Sequence, residues 1–274
     1  MNVLREFIRL QIKQSLNEGQ IEKGKLPLGD IVNKLKDRVL IFFDTETTGF
    51  SPKINYTMIT EIAAVAYDTS TGERLGQYNM KAKLSSDVTS RIEREKQRKE
   101  ARFGKYKIEK LKPWDKKRKT IEDILDMTGY HGEDDQYKYE YDMMEEFSRF
   151  VNSFSDKNPI LVAHNARFDM YQVGKALERH GLPKISKYPV LDTMMLTKNY
   201  LFPLIDKLEK SNDPDATELI NSLRLGKKYQ NRLKHLGDAF KVSTKHWHSA
   251  IADTEQLAGI LSAIIQFFER KLAV

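Results

Sequence analysis

Two acids separated by one residue, Asp44 and Glu46, stand at the end of the apolar run Val39 to Phe43. A short run without alternating polar positions reads as a strand buried on both faces. Side chains on a strand alternate faces, so acids two positions apart project to the same side. Carboxylates converging at the end of a buried strand repel each other unless a cation lies between them. Gly49 then lets the chain turn away and lets something approach the backbone closely. Taken alone, the segment could also be a surface turn that happens to be acidic.

Two further constellations have the same form. Ile160 to Ala163 is another buried-strand run, and it breaks at His164, Asn165, Arg167 and Asp169. Phe168, Tyr171, Val173, Ala176 and Leu177 continue it as the apolar positions of a helix, which puts Asp169 in the first turn, beside a strand end. In the third, His248-Ser249-Ala250-Ile251-Ala252-Asp253 leads into the helical pattern Ile251, Leu257, Ile260, Leu261, Ile264 and Ile265. Helical residues five apart lie roughly 140° from each other, so His248 and Asp253 cannot share one helical face. A loop position for His248 and a helical one for Asp253, both looking into one cleft, is the expected geometry.

In that order, the segments DTETTGF, HNARFD and HSAIAD resemble the three motifs of the DEDDh exonuclease superfamily, which includes the proofreading subunit of bacterial DNA polymerase III. The resemblance maps the four acids to Asp44, Glu46, Asp169 and Asp253, and the histidine five positions before the last acid to His248. Val190-Leu191-Asp192-Thr193 is similar to the family's strand-to-helix step between the second and third motifs. The resemblance implies an α/β fold of the ribonuclease H-like type, a mixed five-stranded sheet flanked by helices. It also implies removal of nucleotides one at a time from a 3′ end, with release of nucleoside 5′-monophosphates. Two divalent ions about 3.5–4 Å apart can make water nucleophilic and stabilise the leaving oxygen. Oxygen ligands without cysteine favour Mg²⁺ or Mn²⁺. By resemblance, Asp44 bridges both ions, Glu46 and Asp253 complete the one on the nucleophile side, and Asp169 holds the second through water. His248 is the implied general base, since an imidazole near its ordinary pKa can take a proton from the attacking water.

His246 and His248 flank Trp247, and such a pair can also hold a metal; the spacing to Asp253 favours His248 as base. His164 is expected to support Asn165 and the backbone, and His131, His180 and His235 have no partner visible in the sequence. Thr45, Thr47, Phe50 and Asn165 are the candidate substrate contacts. Phe50 stands where the family meets the terminal nucleotide, and stacking on an aromatic is sequence-tolerant; a core phenylalanine capping the strand is the other reading.

The 274 residues allow one large domain or two small ones. The absence of cysteine fits a reducing compartment. No apolar run approaches the roughly 18 residues that span a bilayer, and Arg5, Glu6, Arg9 and Lys13 interrupt any signal-peptide core, so a cytoplasmic protein is expected. Charge is unevenly placed. Arg91 to Thr120 holds 14 basic and five acidic residues, an excess of nine against seven for the whole chain. That segment is expected to be an insertion at about 84–125, helical from Ser90 to Ala101. Basic residues interleaved with Phe103, Tyr106 and Trp114 suggest a nucleic-acid-holding arm, with Arg94, Arg98, Lys116, Lys117 and Arg118 on phosphates. A solvated arm is the alternative.

The acidic, tyrosine-rich stretch Gly132 to Asp142 follows. A second insertion, at about 206–229, is polar and turns at Asn212-Asp213-Pro214, which suggests a helical hairpin on the surface. Residues 1–36 lie outside the expected catalytic domain (37–274) as a helical extension. Leu4, Phe7, Ile8, Ile12 and Leu16 make its apolar stripe, which either packs back on the domain or docks on a polymerase or replication protein. DNA is the expected substrate, as a single-stranded 3′ end, because DTETTG is worded more like the DNA-directed members. The alternatives are a 3′→5′ exoribonuclease and a catalytically silent nucleic-acid-binding protein, and the intact set of five motif residues argues against silence.

Overall fold

The computed structural model describes residue 35 and residues 37–49, 57–103, 120–128, 130, 135–242 and 249–272. The apolar stripe of the first 36 residues, apart from Leu35, lies outside them. In chain order come β1 (Val39–Thr47), β2 (Ile59–Asp68), β3 (Arg74–Lys81), α1 (Ser86–Phe103), α2 (Ile121–Met127), α3 (Glu140–Asn152), β4 (Ile160–Ala163), α4 (Ala166–Arg179) and β5 (Val190–Asp192). Then follow α5 (Thr193–Leu196), a π turn (Thr197–Leu201), α6 (Phe202–Glu209), α7 (Pro214–Leu223), the hairpin β6 (Arg224–Leu225) and β7 (Lys228–Tyr229), α8 (Leu233–Ala239) and α9 (Ala250–Leu272).

The main sheet has five strands in the order β3-β2-β1-β4-β5. Strand β1 pairs antiparallel with β2 and parallel with β4, and β5 continues parallel beyond β4. This is a mixed sheet flanked by helices, of the ribonuclease H-like type.

Strand β1 is apolar on both faces because both faces are covered. Leu40 and Phe42 join a core with Leu257, Ile260, Leu261 and Ile264 of α9. Ile41 and Phe43 join a second core with Met143, Met144 and Phe147 of α3 and Val173, Ala176 and Leu177 of α4. The alternation of β1 therefore sends each residue toward one layer or the other, and this continues into the polar residues at its end. Tyr171 is an exposed position of α4, so it drops out of the apolar stripe expected from the sequence.

The interval 84–125 contains α1 and most of α2, whose start is closed by reciprocal bonds between Thr120 and Asp123. The surface hairpin expected at 206–229 needs correction. Ala216, Leu219, Ile220 and Leu223 of α7 are buried in the α9 core, and the segment ends in the β6–β7 hairpin. Those residues sit at i, i+3, i+4 and i+7, a helical stripe hidden among polar neighbours. Lys271 of α9 fixes the start of α7, with Nζ 2.8 Å from both Asp213 and Asp215 carboxylates. The segment just after α8 packs closely on α9: a Cβ added at Gly259 would lie 2.7 Å from the Val242 side chain.

Phe147 is fully buried and packs its ring near Phe43 and Tyr78, with centroids 6.1 Å away in each case. Phe147→Ala should destabilise the protein by about 3–5 kcal/mol, read as a lower urea midpoint at unchanged slope.

Candidate active site

The end of β1 distributes its polar residues between the two layers. Asp44 and Glu46 continue the face of Phe42, toward α9, and Thr45 continues the face of Phe43, toward α4. Asp253 lies in the first turn of α9. One carboxylate oxygen from each of Asp44, Glu46 and Asp253 falls within 4.8 Å of the others. Asp169, in the first turn of α4, arrives from the opposite layer. Its Oδ1 accepts from the Thr45 hydroxyl at 2.7 Å and the Thr45 backbone N–H at 3.2 Å. Thr45 is thus the strap that brings the fourth acid to the strand end.

The electrostatics follow from this crowding. Burial, then Asp169, Glu46, Asp253 and Glu61, push the Asp44 carboxyl well above the usual carboxylate range. Burial, then Asp253, Glu61 and Asp169, push Glu46 up to about 8, with Lys81 pulling the other way. Asp169 is pushed up to about 7 by burial, against the Thr45 hydrogen bonds that hold its charge. A cluster of oxygen donors that keep protons because they lack a counter-charge fits a hard divalent cation. Asp44, Glu46 and Asp253 would hold it.

His164 and Asn165 serve the second motif differently. His164 Nε2 lies 2.9 Å from the Asn231 carbonyl and Nδ1 3.0 Å from the Thr193 hydroxyl. A carbonyl only accepts, so Nε2 carries the proton, and burial lowers the ring's pKa. His164 is a neutral brace between β4, α5 and the segment before α8. Asn165 takes a left-handed conformation, with φ 67°, at the head of α4, and its side chain is exposed. Its N–H donates to Asp192 Oδ1 at 3.2 Å. The Thr47 hydroxyl donates to the Gly49 carbonyl at 2.8 Å, so both candidate threonine hydroxyls are engaged within the protein.

Arg94 and Arg98 are exposed on α1, where Arg94 Nε also donates to the Ser90 carbonyl at 3.0 Å. Phe50, His131, His246, His248, Lys116, Lys117 and Arg118 lie outside the described residues. His180 has a partner that the sequence does not reveal: Nε2 lies 2.9 Å from Glu140 Oε2. Glu140 also receives Arg179 at 2.9 Å and the Ile59 N–H at 3.0 Å, so this member of the acidic stretch joins α3, α4 and β2.

No family model matches the chain. It is 29% identical over 132 residues to a DNA polymerase III PolC-type of Streptococcus sanguinis, covering 48% of this chain and 7% of that protein. It is 44% identical over 61 residues to the PolC-type polymerase of Streptococcus pneumoniae, covering 22% of this chain and 4% of that one. Among solved structures, the zinc-bound Exonuclease I–single-stranded DNA complex of E. coli superposes with TM-score 0.52 at 14% identity, covering 87% of this chain and 42% of that one. Exonuclease I of Methylocaldum szegediense gives TM-score 0.52 at 16% identity, over 86% of this chain and 42% of the other. In sequence pattern and in fold, the chain resembles the DEDD-type 3′→5′ exonucleases. It spans less than half the length of these relatives and neighbours.

One acid near the carboxylate cluster escaped the sequence reading. Glu61 of β2 is buried and lies directly opposite Glu46 in the sheet register. Its signal was a single acid inside the apolar run from Ile59 to Tyr67.

The raised carboxyls make metal-free stability depend on pH with a definite sign. Glu46 near 8 and Asp169 near 7 titrate above their unfolded values, so the folded state binds more protons in between. Stability in EDTA should therefore fall as pH rises from about 4 to about 8, and level off above. Mn²⁺ should remove that loss, so that the Tm gap between Mn²⁺ and EDTA widens across the window. A gap that narrows with rising pH would contradict the assignment of these carboxylates as ligands.

Proposed function

We propose that this protein is a metal-dependent 3′→5′ exonuclease acting on nucleic acid, with single-stranded DNA ends as the preferred substrate. The observation that carries the reading is the convergence of Asp44, Glu46 and Asp253 within 4.8 Å, with Asp169 strapped beside them. Divalent Mg²⁺ or Mn²⁺ ions at such a site would activate water and neutralise charge on the attacked phosphate. Asp44, Glu46 and Asp253 would hold one ion, and Asp169, with Asp44, would serve a second. His248 would take the proton of the attacking water. The new bond joins that oxygen to the phosphorus of the terminal nucleotide. The bond to the preceding 3′ oxygen breaks, and that oxygen takes up a proton. Phe50 would stack on the terminal base, with Thr45, Thr47 and Asn165 lining the approach. Exposed Arg94 and Arg98 suit phosphate contacts that add affinity without sequence preference. The PolC-type relatives make a polymerase or replication protein a reasonable partner for the apolar stripe Leu4 to Leu16. Among the described residues no helix is long and apolar enough to cross a membrane.

Product analysis on 5′- and 3′-labelled DNA and RNA, single- and double-stranded, tests polarity and substrate together. Stepwise shortening of 5′-labelled DNA in Mn²⁺, with monophosphates as product, is expected. Preferential shortening of RNA would replace the DNA assignment, and internal cuts would end the exonuclease reading. In the same assay Asp44→Asn should abolish release while circular dichroism is unchanged and metal-free Tm is not lowered, since one of several repelling charges is gone. Near-wild-type turnover of that variant would sink the metal mechanism.

His248→Ala should lower turnover by roughly 10²–10⁴-fold with Mn²⁺ affinity little changed, while His246→Ala stays within about tenfold. Exchanged phenotypes in single-turnover rates would move the base to His246.

A further inference from the structure

We infer that Tyr139 and Tyr141 form a stacking platform for unpaired bases just upstream of a bound strand's 3′ end. The inference rests on the exonuclease reading proposed above and adds a base-holding surface to it. Lys138 and Glu140 tie the segment Tyr137 to Tyr141 to the sheet edge that carries the acids. Glu140 Oε1 accepts the Ile59 N–H at 3.0 Å, and Ile59 pairs with Thr47, the neighbour of Glu46. The Lys138 N–H donates to the Lys81 carbonyl at 3.1 Å, and the Lys83 N–H to the Lys138 carbonyl at 2.7 Å. Lys81 in turn pairs with Glu61, which stands opposite Glu46. The segment therefore crosses the ends of β2 and β3, one and two strand spacings of about 4.8 Å from β1.

The three tyrosines of the segment are used differently. Tyr137 is an anchor: its ring lies 5.5 Å from that of Tyr130, with Lys81 Nζ 6.0 Å from its centroid. Tyr139 is 70% exposed, and its side chain has no hydrogen-bond or ring partner among the described residues. Tyr141 is 44% exposed and meets His180 nearly at right angles, with ring centroids 5.8 Å apart. Tyrosine suits such a place, with an apolar body to be covered and a hydroxyl that stays wet. The acid between the two rings does not drive a strand away. Arg179 lies 2.9 Å from Glu140 Oε1 and His180 Nε2 2.9 Å from Oε2, so that carboxylate is engaged within the protein. Bases, rather than phosphates, are the part of a strand that this surface fits. Every base has a π face, so stacking on an aromatic holds any sequence, which is what an enzyme that shortens any strand needs.

The test is binding of two fluorescent strands to the full chain carrying Asp44→Asn, so that neither strand is consumed. One is oligothymidylate; the other has the same length and the same terminal nucleotide, with abasic sugars upstream. Tyr139→Ala and Tyr141→Ala should each weaken oligothymidylate binding by about 5–150-fold, the usual worth of one stacked base. Neither should change binding of the abasic strand, and the dependence of log affinity on log salt should stay as in the parent, since no phosphate contact is lost. Tyr139→Phe keeps the π face and should stay within about threefold of the parent. Tyr139→Trp should be quenched by oligothymidylate and not by the abasic strand. If circular dichroism finds Tyr141→Ala unfolded, Tyr141→Leu, which keeps bulk without a π face, takes its place. Parent-like affinity of the alanine or leucine variants for oligothymidylate overturns the platform. So does an equal loss on both strands, because that loss would not pass through bases. A parent chain that binds neither strand would overturn the exonuclease reading itself, and the platform with it, a result distinct from variants that bind as the parent does.

Discussion

Mutual repulsion among carboxylates gathered at the end of β1 is the constraint around which the rest of the molecule is arranged. Burial and the neighbouring charges of Asp169, Asp253 and Glu61 raise the carboxyls of Asp44 and Glu46, in a place where water screens them little. No local preference of the chain would bring them together. What holds them is the burial of β1 between two apolar layers, so that parting the acids means opening one layer or the other. The site is a reservoir of unfavourable electrostatics maintained by packing elsewhere, which is how perturbed carboxylates come to mark functional positions.

The two layers contribute unequally. The α9 layer delivers Asp253 directly onto the face of Asp44 and Glu46. The α4 layer delivers Asp169 from the far face, and the reach is completed by Thr45, whose side chain alternates to that side. This division explains why three carboxylates form one tight group while the fourth is hydrogen-bonded to the strand. It also gives Thr45, between the two acids of its motif, a reason to be a hydroxyl residue.

Much of this was legible in the chain itself. Asp44 and Glu46 were readable because a strand's alternation is local: two positions apart means one face, whatever the tertiary structure. Asp169 and Asp253 were readable as first-turn residues of helices with clear apolar stripes, and the central strands stood out as unbroken apolar runs. The relations between distant residues were not readable. Glu61 stands beside Glu46 and Lys81 through sheet register, and a single sequence does not state register. The Glu140–His180 pair joins the start of α3 to the residue after α4 and was hidden for the same reason. The stripe of α7 was present in the sequence but was masked by a high polar content and a strong turn signal, which made a buried helix look like surface.

The order of the acids along the chain has a consequence for when this protein can act during its own synthesis. Asp44 and Glu46 emerge early and Asp169 midway, whereas Asp253 belongs to the long helix Ala250–Leu272 that also closes one of the two cores. A ribosome-bound chain not yet extended to that helix has an open apolar face and only part of the carboxylate cluster. The proposed chemistry would therefore begin only with the docking of that helix. On the proposed nuclease reading, the geometry of assembly alone would keep a half-built chain inactive.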